Sequence, residues 1–196
     1  MHRRCLVVAL ATCLLAVPSI AATYAGQQTR SIKALSNEDI DALRKGEGMG
    51  LAKAAELNGY PGPAHVRTLG KQLRLSDDQL AQITAIFDRM STTAKSLGAE
   101  MIEREQALDR LFVNGAITPD RLAAATTAIG ELNGCLRAVH LTAHLETRAL
   151  LQPEQLALYR QLRGYGESKG HHRHPGLDVQ SASASLRAKR SNHGCR

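Results

Sequence analysis

The sequence predicts an all-α protein, a long antiparallel helical hairpin with short flanking helices, and we expect it to form a dimer. Two observations predict this architecture. Apolar residues recur at intervals of three and four along two long stretches, which is the period of helices packed along one side. Only residues 114–118 separate these stretches, and so short a connection folds neighbouring helices back antiparallel. Two single helices cannot enclose a thick core, so the short helices or a second copy must cover them.

Residues 1–25 have the features of a secretory signal peptide: a basic start, an uncharged apolar run and small residues at its end. We expect cleavage after Ala25, with Ala21 as the alternative. An uncleaved membrane anchor ranks second, since a spanning helix needs about 20 apolar residues and Pro18 interrupts this run. A lipoprotein signal at Cys13 ranks third. The signal predicts a periplasmic location.

The net charge of +7, from 25 basic and 18 acidic residues, is concentrated at the two ends of the chain. Two arginines lie in the signal, and the tail from residue 166 holds six basic and two acidic side chains. The remainder, residues 26–165, therefore has 17 basic and 16 acidic residues. A nearly neutral domain without Trp does not suit nucleic-acid binding. We expect no nucleic-acid partner, and membrane contact only if the signal stays uncleaved.

Residues 26–35 are expected to form a flexible leader, and residues 36–165 the helical domain. Ser36 can cap a short first helix, and acidic residues in its first turn suit the helix dipole. A turn cluster of Asn, Gly and Pro at 58–63 precedes another short helix, over residues 64–73. No segment after the signal has the alternation of a strand.

The first long helix is predicted from Ser76 to about residue 113, and Gln79 has the spacing that completes a capping box with Ser76. The second is predicted over residues 119–150, with Thr118 as its cap and a proline in its first turn. The apolar seams consist of Leu80, Ile83, Phe87, Met90, Ala94, Leu97, Met101, Leu108 and Leu111 in the first helix and Leu122, Ala125, Ile129, Leu132, Leu136, Val139, Ala143 and Leu150 in the second. A short helix follows, ended by Gly164.

Residues 166–196 contain few large apolar residues, and we expect a disordered, basic tail. A short tract in this tail has a composition that captures metal ions, or it belongs to a solvated tail without function. The tract consists of His171, His172 and His174. Outside the signal the chain retains Cys135 and Cys195, which are either two unlinked side chains or part of a disulfide, within the chain or between two copies.

Two short segments resemble the paired LTXXQ motifs of the Spy/CpxP family: LSDDQ at 75–79 and LQPEQ at 151–155. LNGYPGP at 57–63 and LRGY at 162–165 are similar to sequences of the related periplasmic heavy-metal-resistance and metal-sensor proteins. The resemblance covers about residues 49–165. It implies a periplasmic helical hairpin, often a dimer with a concave face. Such proteins act as chaperones without ATP, as partners that restrain sensor kinases, or as binders of nickel, cobalt or zinc.

The sequence departs from the motif at two capping positions. Ser76 replaces the first Thr and keeps the capping hydroxyl, whereas Gln152 replaces the second and loses it. Loss of such a cap costs about 1 kcal/mol.

His140 and His144 are four positions apart on a predicted helix, so both face the same side and can supply two ligands to one Zn or Ni ion. In a hairpin that turns near Ala116, Asp88 should lie level with His144 as a third ligand. Metal-binding proteins that this chain resembles place His residues at this distance before their second motif. The alternative is two surface histidines beside the seam.

The chain has no arrangement typical of an enzyme. The glycines at 46–50 follow no strand and lack the Lys of a phosphate-binding loop, and no Ser-His-Asp order or paired carboxylates stand out. We therefore expect a non-enzymatic protein that requires no cofactor. The leading hypothesis is a periplasmic envelope-stress binding protein, a Spy-like ATP-independent chaperone for unfolded or stressed envelope proteins. The alternatives are a Zn-, Ni- or Co-binding sensor or resistance protein and an inhibitory partner of a sensor kinase.

Overall fold

The computed structural model describes residues 23–165, and every regular element in that part of the chain is helical. The helices are α1 (Asn37–Lys45), α2 (Lys53–Leu57), α3 (Pro63–Thr68), α4 (Asp77–Val113), α5 (Pro119–Leu150) and α6 (Pro153–Leu162). α4 and α5 pack along each other as the hairpin, α1 and α3 pack on α4, and α2 packs on α5. The predicted all-α hairpin is confirmed. The dimer remains a prediction, and residues 1–22 of the signal and the tail with its His tract lie outside the described residues.

The predicted caps begin both long helices. Ser76 Oγ accepts from the backbone N–H of Gln79 at 3.1 Å, and Gln79 Oε1 accepts from the backbone N–H of Ser76 at 3.1 Å. Thr118 Oγ1 accepts from the backbone N–H of Arg121 at 3.3 Å, at the start of α5. Each bond satisfies an N–H that has no partner within its helix. None of the helices described is long and apolar enough to cross a membrane.

α1 approaches α4 most closely at Gly98, which is buried in α4. A Cβ atom at this position would lie 2.8 Å from the carbonyl carbon of Leu43. Leu43 itself packs in a core cluster with Leu97 and Leu136, so it bridges α1 to both long helices. Because Gly98 has no side chain, the backbone of α1 can reach the seam of the hairpin.

The segment expected to be a flexible leader, residues 26–35, packs against α4 instead. Gln27–Thr29 form one turn of 3₁₀ helix, and Ile32 is buried. The backbone N–H of Lys33 donates to Asp109 Oδ1 at 3.3 Å, and its ammonium lies 3.6 Å from Asp109 Oδ2. A single buried isoleucine and one ion pair anchor the leader, and neither makes a periodic signal in the sequence.

The side-chain amides of Gln79 and Gln155 join the base of the hairpin, and we call this pair the amide clasp. Each Nε2 donates to the other's Oε1, at 3.0 and 3.1 Å. Gln79 Nε2 also donates to the carbonyl of Leu150 at 2.7 Å, and Gln155 Nε2 to that of Leu73 at 3.2 Å. Gln155 Oε1 accepts from the backbone N–H of Gln152 at 2.9 Å, where the hydroxyl cap is missing. The last residues of the two LTXXQ-like segments therefore meet in space.

The cover on the hairpin becomes thinner towards its tip, although the leader still contacts α4 at Asp109. The last buried residue of α4 is Met101 and the first of α5 is Leu136. Beyond them lie residues 102–135, which we call the distal half. Phe112 and Val113 near its tip are 56% and 68% exposed. The second core cluster lies at the other end, where Val66 and Tyr159 pack with residues of the base.

Candidate functional site: a buried polar cluster and an open groove

α5 turns His140 and His144 towards the short helices, and both are buried, at 3% and 9% exposure. His144 Nδ1 lies 2.7 Å from the carbonyl oxygen of Tyr60. A Cβ at Gly62 would lie 2.9 Å from His144 Cε1, and a Cβ at Gly48 would lie 3.7 Å from His140 Nδ1. The two glycines therefore let the backbone pass close to both rings. The histidines share one side of α5, as expected, but they are not surface residues.

Asp88 does not join these histidines. The register of the hairpin is close to the one expected, since Arg89 Nη2 lies 2.6 Å from Glu146 Oε2. The Asp88 side chain, however, is 66% exposed, and its Oδ1 lies 3.9 Å from Nη1 of Arg67 in α3. Sequence spacing placed Asp88 at the level of His144 but could not show that Arg67 of α3 lies beside the Asp88 carboxylate. Within residues 23–165, no three His, Cys, Asp or Glu side chains are arranged to hold a metal ion.

Glu56 in α2 is the centre of a buried polar cluster that the sequence analysis missed. Its side chain is only 11% exposed. Oε1 accepts from the hydroxyls of Tyr159 at 2.5 Å and Tyr165 at 3.2 Å, and Oε2 accepts from the backbone N–H of Gly62 at 3.1 Å. Arg163 Nε lies 3.5 Å from Oε1 and supplies a positive charge. The only signal for this cluster was the pair of tyrosine-containing segments at 57–63 and 162–165.

Two imidazoles flank the Glu56 carboxylate. His65 Nδ1 lies 3.6 Å from Oε1, and His144 Nδ1 lies 3.7 Å from Oε2. Burial lowers the pKa of His65, and the positive charge of Arg163 lowers it further, although Glu56 acts in the opposite direction. Burial also raises the pKa of Tyr159, with its hydrogen bond to Glu56 as the second cause. The tyrosine therefore stays protonated and donates to the carboxylate.

His140 and Arg163 each hold a buried polar atom that makes no hydrogen bond within the described residues, and only that of Arg163 lies near a carboxylate, Glu56. Burial lowers the pKa of His140, and the neighbouring His144 lowers it further, so the neutral imidazole is favoured. Its Nε2 is buried and has no hydrogen-bond partner among the described residues. Leaving a buried polar atom unpaired costs about 1–3 kcal/mol. A neutral imidazole nitrogen of this kind can bind a proton donor or a transition-metal ion.

The other side of the hairpin carries an open groove with a volume of about 300 Å³. It is lined by Ile86, Arg89, Met90, Thr93, Cys135, Ala138, Val139, Thr142, Ala143 and Glu146. Thr142 and Glu146 each follow a buried histidine by two positions, which is about 200° around a helix. The groove therefore lies on the side of α5 that faces away from α2.

A second groove continues the first towards the tip of the hairpin. It is lined by Arg104, Ala107, Leu108, Leu111, Arg121, Ala124, Ala125 and Ala128. Leu108 follows Met90 by 18 positions and Ala125 precedes Ala143 by 18, and 18 residues make five whole helical turns. Both grooves therefore lie on one face, which we call the open face.

Cys135 lines the first groove and is disulfide-bonded, and its partner lies outside the described residues. The interpretation of Cys135 as an unlinked side chain is thus not the one observed.

No protein-family model, no curated protein and no solved structure matches this chain. The resemblance to the Spy/CpxP family therefore remains a prediction from the two motifs.

Proposed function

We propose that this protein is a periplasmic, ATP-independent chaperone of the Spy-like type, which captures apolar segments of unfolded envelope proteins on its open face. The observation that supports this proposal is the groove across α4 and α5, on the side that α2 leaves uncovered. A helical hairpin normally buries such a face against a third element or a partner. In the described part of this chain, the apolar residues at the bottom of the groove remain accessible to solvent.

The chemistry of the open face suits reversible capture. Met90 and Val139 are only partly buried and form an apolar floor, and a methionine side chain adapts its shape to different partners. Arg89 and Glu146 form an ion pair at one edge, and exposed charges of this kind steer a client and keep the free protein soluble. Release needs no ATP if each contact buries only a few side chains, because each contributes about 1.5–3 kcal/mol at most.

Placing a charge in the groove tests the proposal. We expect Met90→Glu and Ala138→Glu to suppress client aggregation several-fold less well than the wild type. Aggregation is measured by light scattering with a thermally unfolding client. Leu57→Glu is the matched control, because Leu57 is 58% exposed on α2, away from the open face. Melting curves establish that all three variants are folded. Equal protection by folded groove variants and wild type would refute the groove as the client surface.

The unpaired Nε2 of His140 favours a second candidate function, binding of Zn or Ni by His140 and His144. The test is a calorimetric titration of the wild type, the double variant His140→Ala/His144→Ala, and a variant with alanines in place of the tail histidines. Saturable binding that is lost in the double variant alone would support this site. Binding that is lost only with the tail histidines would contradict it.

A homodimer remains part of the proposal. Phe112 and Val113 stay exposed in the single chain, and a second copy packed on the distal half would cover them. Sedimentation velocity should show a dimer for the wild type and a smaller species for Phe112→Ser/Val113→Ser. A monomeric wild type at high concentration would exclude this association.

A further inference from the structure

The leader, residues 26–35, lies against α4 but is held there by few contacts. Ile32 is its one buried side chain, at 3% exposure, and Leu35 packs at the edge of the core where the leader joins α1. Within the described chain, the backbone N–H of Lys33 makes the leader's one hydrogen bond to another element, and the remaining ones join residues within four positions of each other. The Lys33 side chain is 47% exposed in its ion pair, and exposed pairs contribute little to stability. A segment held in this way can leave the surface while the helices stay folded.

The surface beneath the leader continues the stripe of α4 on which α1 packs. Leu43 of α1 meets this stripe at Gly98, and Lys33 meets it at Asp109, about 16 Å further towards the tip. Asp109 precedes Leu111 of the second groove by two positions, which is about 200° around a helix. The leader therefore lies away from the open face, on a separate surface that we call the leader surface.

The leader surface combines a buried apolar contact with two carboxylates. The Asp109 side chain is only 14% exposed; it accepts from the backbone N–H of Lys33 and lies 3.6 Å from the ammonium. Glu105 lies one turn before Asp109 on the same side of α4, is partly buried, and burial raises its pKa. None of the ion pairs within residues 23–165 involves Glu105, so it favours a positive side chain brought by a ligand. The leader has matching chemistry, because Arg30 and Lys33 flank Ile32 and no acidic residue is present in residues 26–35.

We propose that the leader surface is a second binding surface of this protein, for a segment of another chain in which an apolar side chain stands between basic ones, and that the leader occupies it as a built-in competitor. The bound segment places its apolar side chain where Ile32 lies and a basic side chain against Asp109 and Glu105. The inference goes beyond the proposed function, because this surface lies away from the open face and selects a segment by its charge. The leader hides the surface until its own contacts are lost or a competing segment displaces it.

The tether of the leader decides how strongly it competes. Residues 26–35 are joined directly to α1, which packs on α4, so the leader meets its surface at an effective concentration of about a millimolar. A free segment that makes the same contacts must therefore bind poorly to the wild type. Loss of the leader's anchor should raise the apparent affinity without adding any contact, because the surface is then open in a larger fraction of the molecules.

Fluorescence anisotropy with a labelled peptide of residues 26–35 tests the proposal on the exported full chain. Ile32→Asp removes the apolar anchor of the leader and should bind the peptide several-fold more tightly than the wild type. Ala34→Asp is the matched control, because it introduces the same charge at an exposed leader residue, and it should bind as weakly as the wild type. Lys33→Glu places a carboxylate against Asp109 and should also raise the affinity, which keeps the test decisive if melting curves show that Ile32→Asp does not fold.

Further variants distinguish this surface from non-specific attraction and from the open face. Added to a leader variant, Glu105→Gln/Asp109→Asn should lose most of the peptide binding, and a peptide carrying Ile32→Asp should not bind. Met90→Glu, in the groove of the open face, should leave peptide binding unchanged, so a failure of the proposed client groove is seen separately. Equal peptide binding by the folded leader variants and the wild type would overturn the proposal, as would binding that survives the loss of both carboxylates.

Discussion

Gly98→Ala should destabilise the protein, although the same change elsewhere in a helix stabilises it. Alanine is favoured over glycine inside a helix by about 1 kcal/mol. At Gly98 the new Cβ would overlap the backbone of Leu43 in α1, and its distance to the Leu43 carbonyl carbon would be 2.8 Å. These neighbouring atoms are backbone, so no side-chain rotation relieves the contact and α1 must move away from the seam.

The size of the effect follows from these two opposing contributions. Overpacking a buried site costs about 1–3 kcal/mol, and the rigid backbone neighbour places Gly98 at the upper end, about 3 kcal/mol. Subtracting the gain of about 1 kcal/mol in helix propensity leaves a net loss of about 2 kcal/mol in the free energy of unfolding. A Cβ added at Gly134 in α5 would meet no atom within 4 Å, so Gly134→Ala should instead gain up to about 1 kcal/mol.

Urea denaturation followed by circular dichroism at 222 nm compares these two variants with the wild type. The midpoints should fall on opposite sides of the wild-type value, with a difference of about 3 kcal/mol between the variants. The reasoning is refuted if Gly98→Ala is as stable as Gly134→Ala. A change in the denaturant slope would indicate that α1 has detached altogether, because the slope follows the surface exposed on unfolding.

Three other predictions concern the amide clasp and the buried polar cluster. Gln79→Ala leaves the amide of Gln155 without its partner and should lower the free energy of unfolding by about 1–3 kcal/mol in urea melts, whereas the exposed Gln82→Ala should stay within about 0.5 kcal/mol of the wild type. Burial lowers the pKa of His140 in the folded protein, so on acidification the unfolded chain binds a proton at this histidine before the folded chain does, near pH 6.5. The free energy of unfolding should therefore fall as the pH is lowered from 7.5 to 5.5. His140→Gln should make this fall shallower, and an unchanged slope would count against a buried neutral histidine. Glu56→Gln keeps the shape of the side chain but removes the negative charge that accepts hydrogen bonds from two tyrosines. Thermal melting should show a loss of about 2 kcal/mol in the free energy of unfolding. A loss below about 0.5 kcal/mol would contradict the central place of Glu56 in the cluster.

The long helices could be predicted because their signals are local. Ser76 and Thr118 lie within three residues of the N–H groups they cap, and the apolar period is repeated over many turns. The pairing of Gln79 with Gln155 could not be predicted in this way, since 76 positions separate them. The resemblance identified both glutamines as motif residues but did not show that they bond to each other.

The candidate site was only partly predictable, for a physical reason. Helical spacing correctly placed His140 and His144 on one side of α5, but their burial depends on where the segment around Tyr60 folds back. Glu56 lies in a helix of five residues, too short for any period to show that it is buried. The seam residues Met90 and Val139 were expected in a core, and they line an open groove because none of the short helices in residues 23–165 packs on that face.

The uneven cover of the hairpin bears on how the protein moves. The distal half has no buried residue in α5 before Leu136, so unwinding it would expose less apolar surface than unwinding the base. Amide hydrogens in residues 102–135 should therefore exchange with solvent through local fraying, well before those near the amide clasp. Each such opening would expose further apolar side chains near the tip while the base stays folded. An arm of this kind can change the area it exposes without the whole chain unfolding.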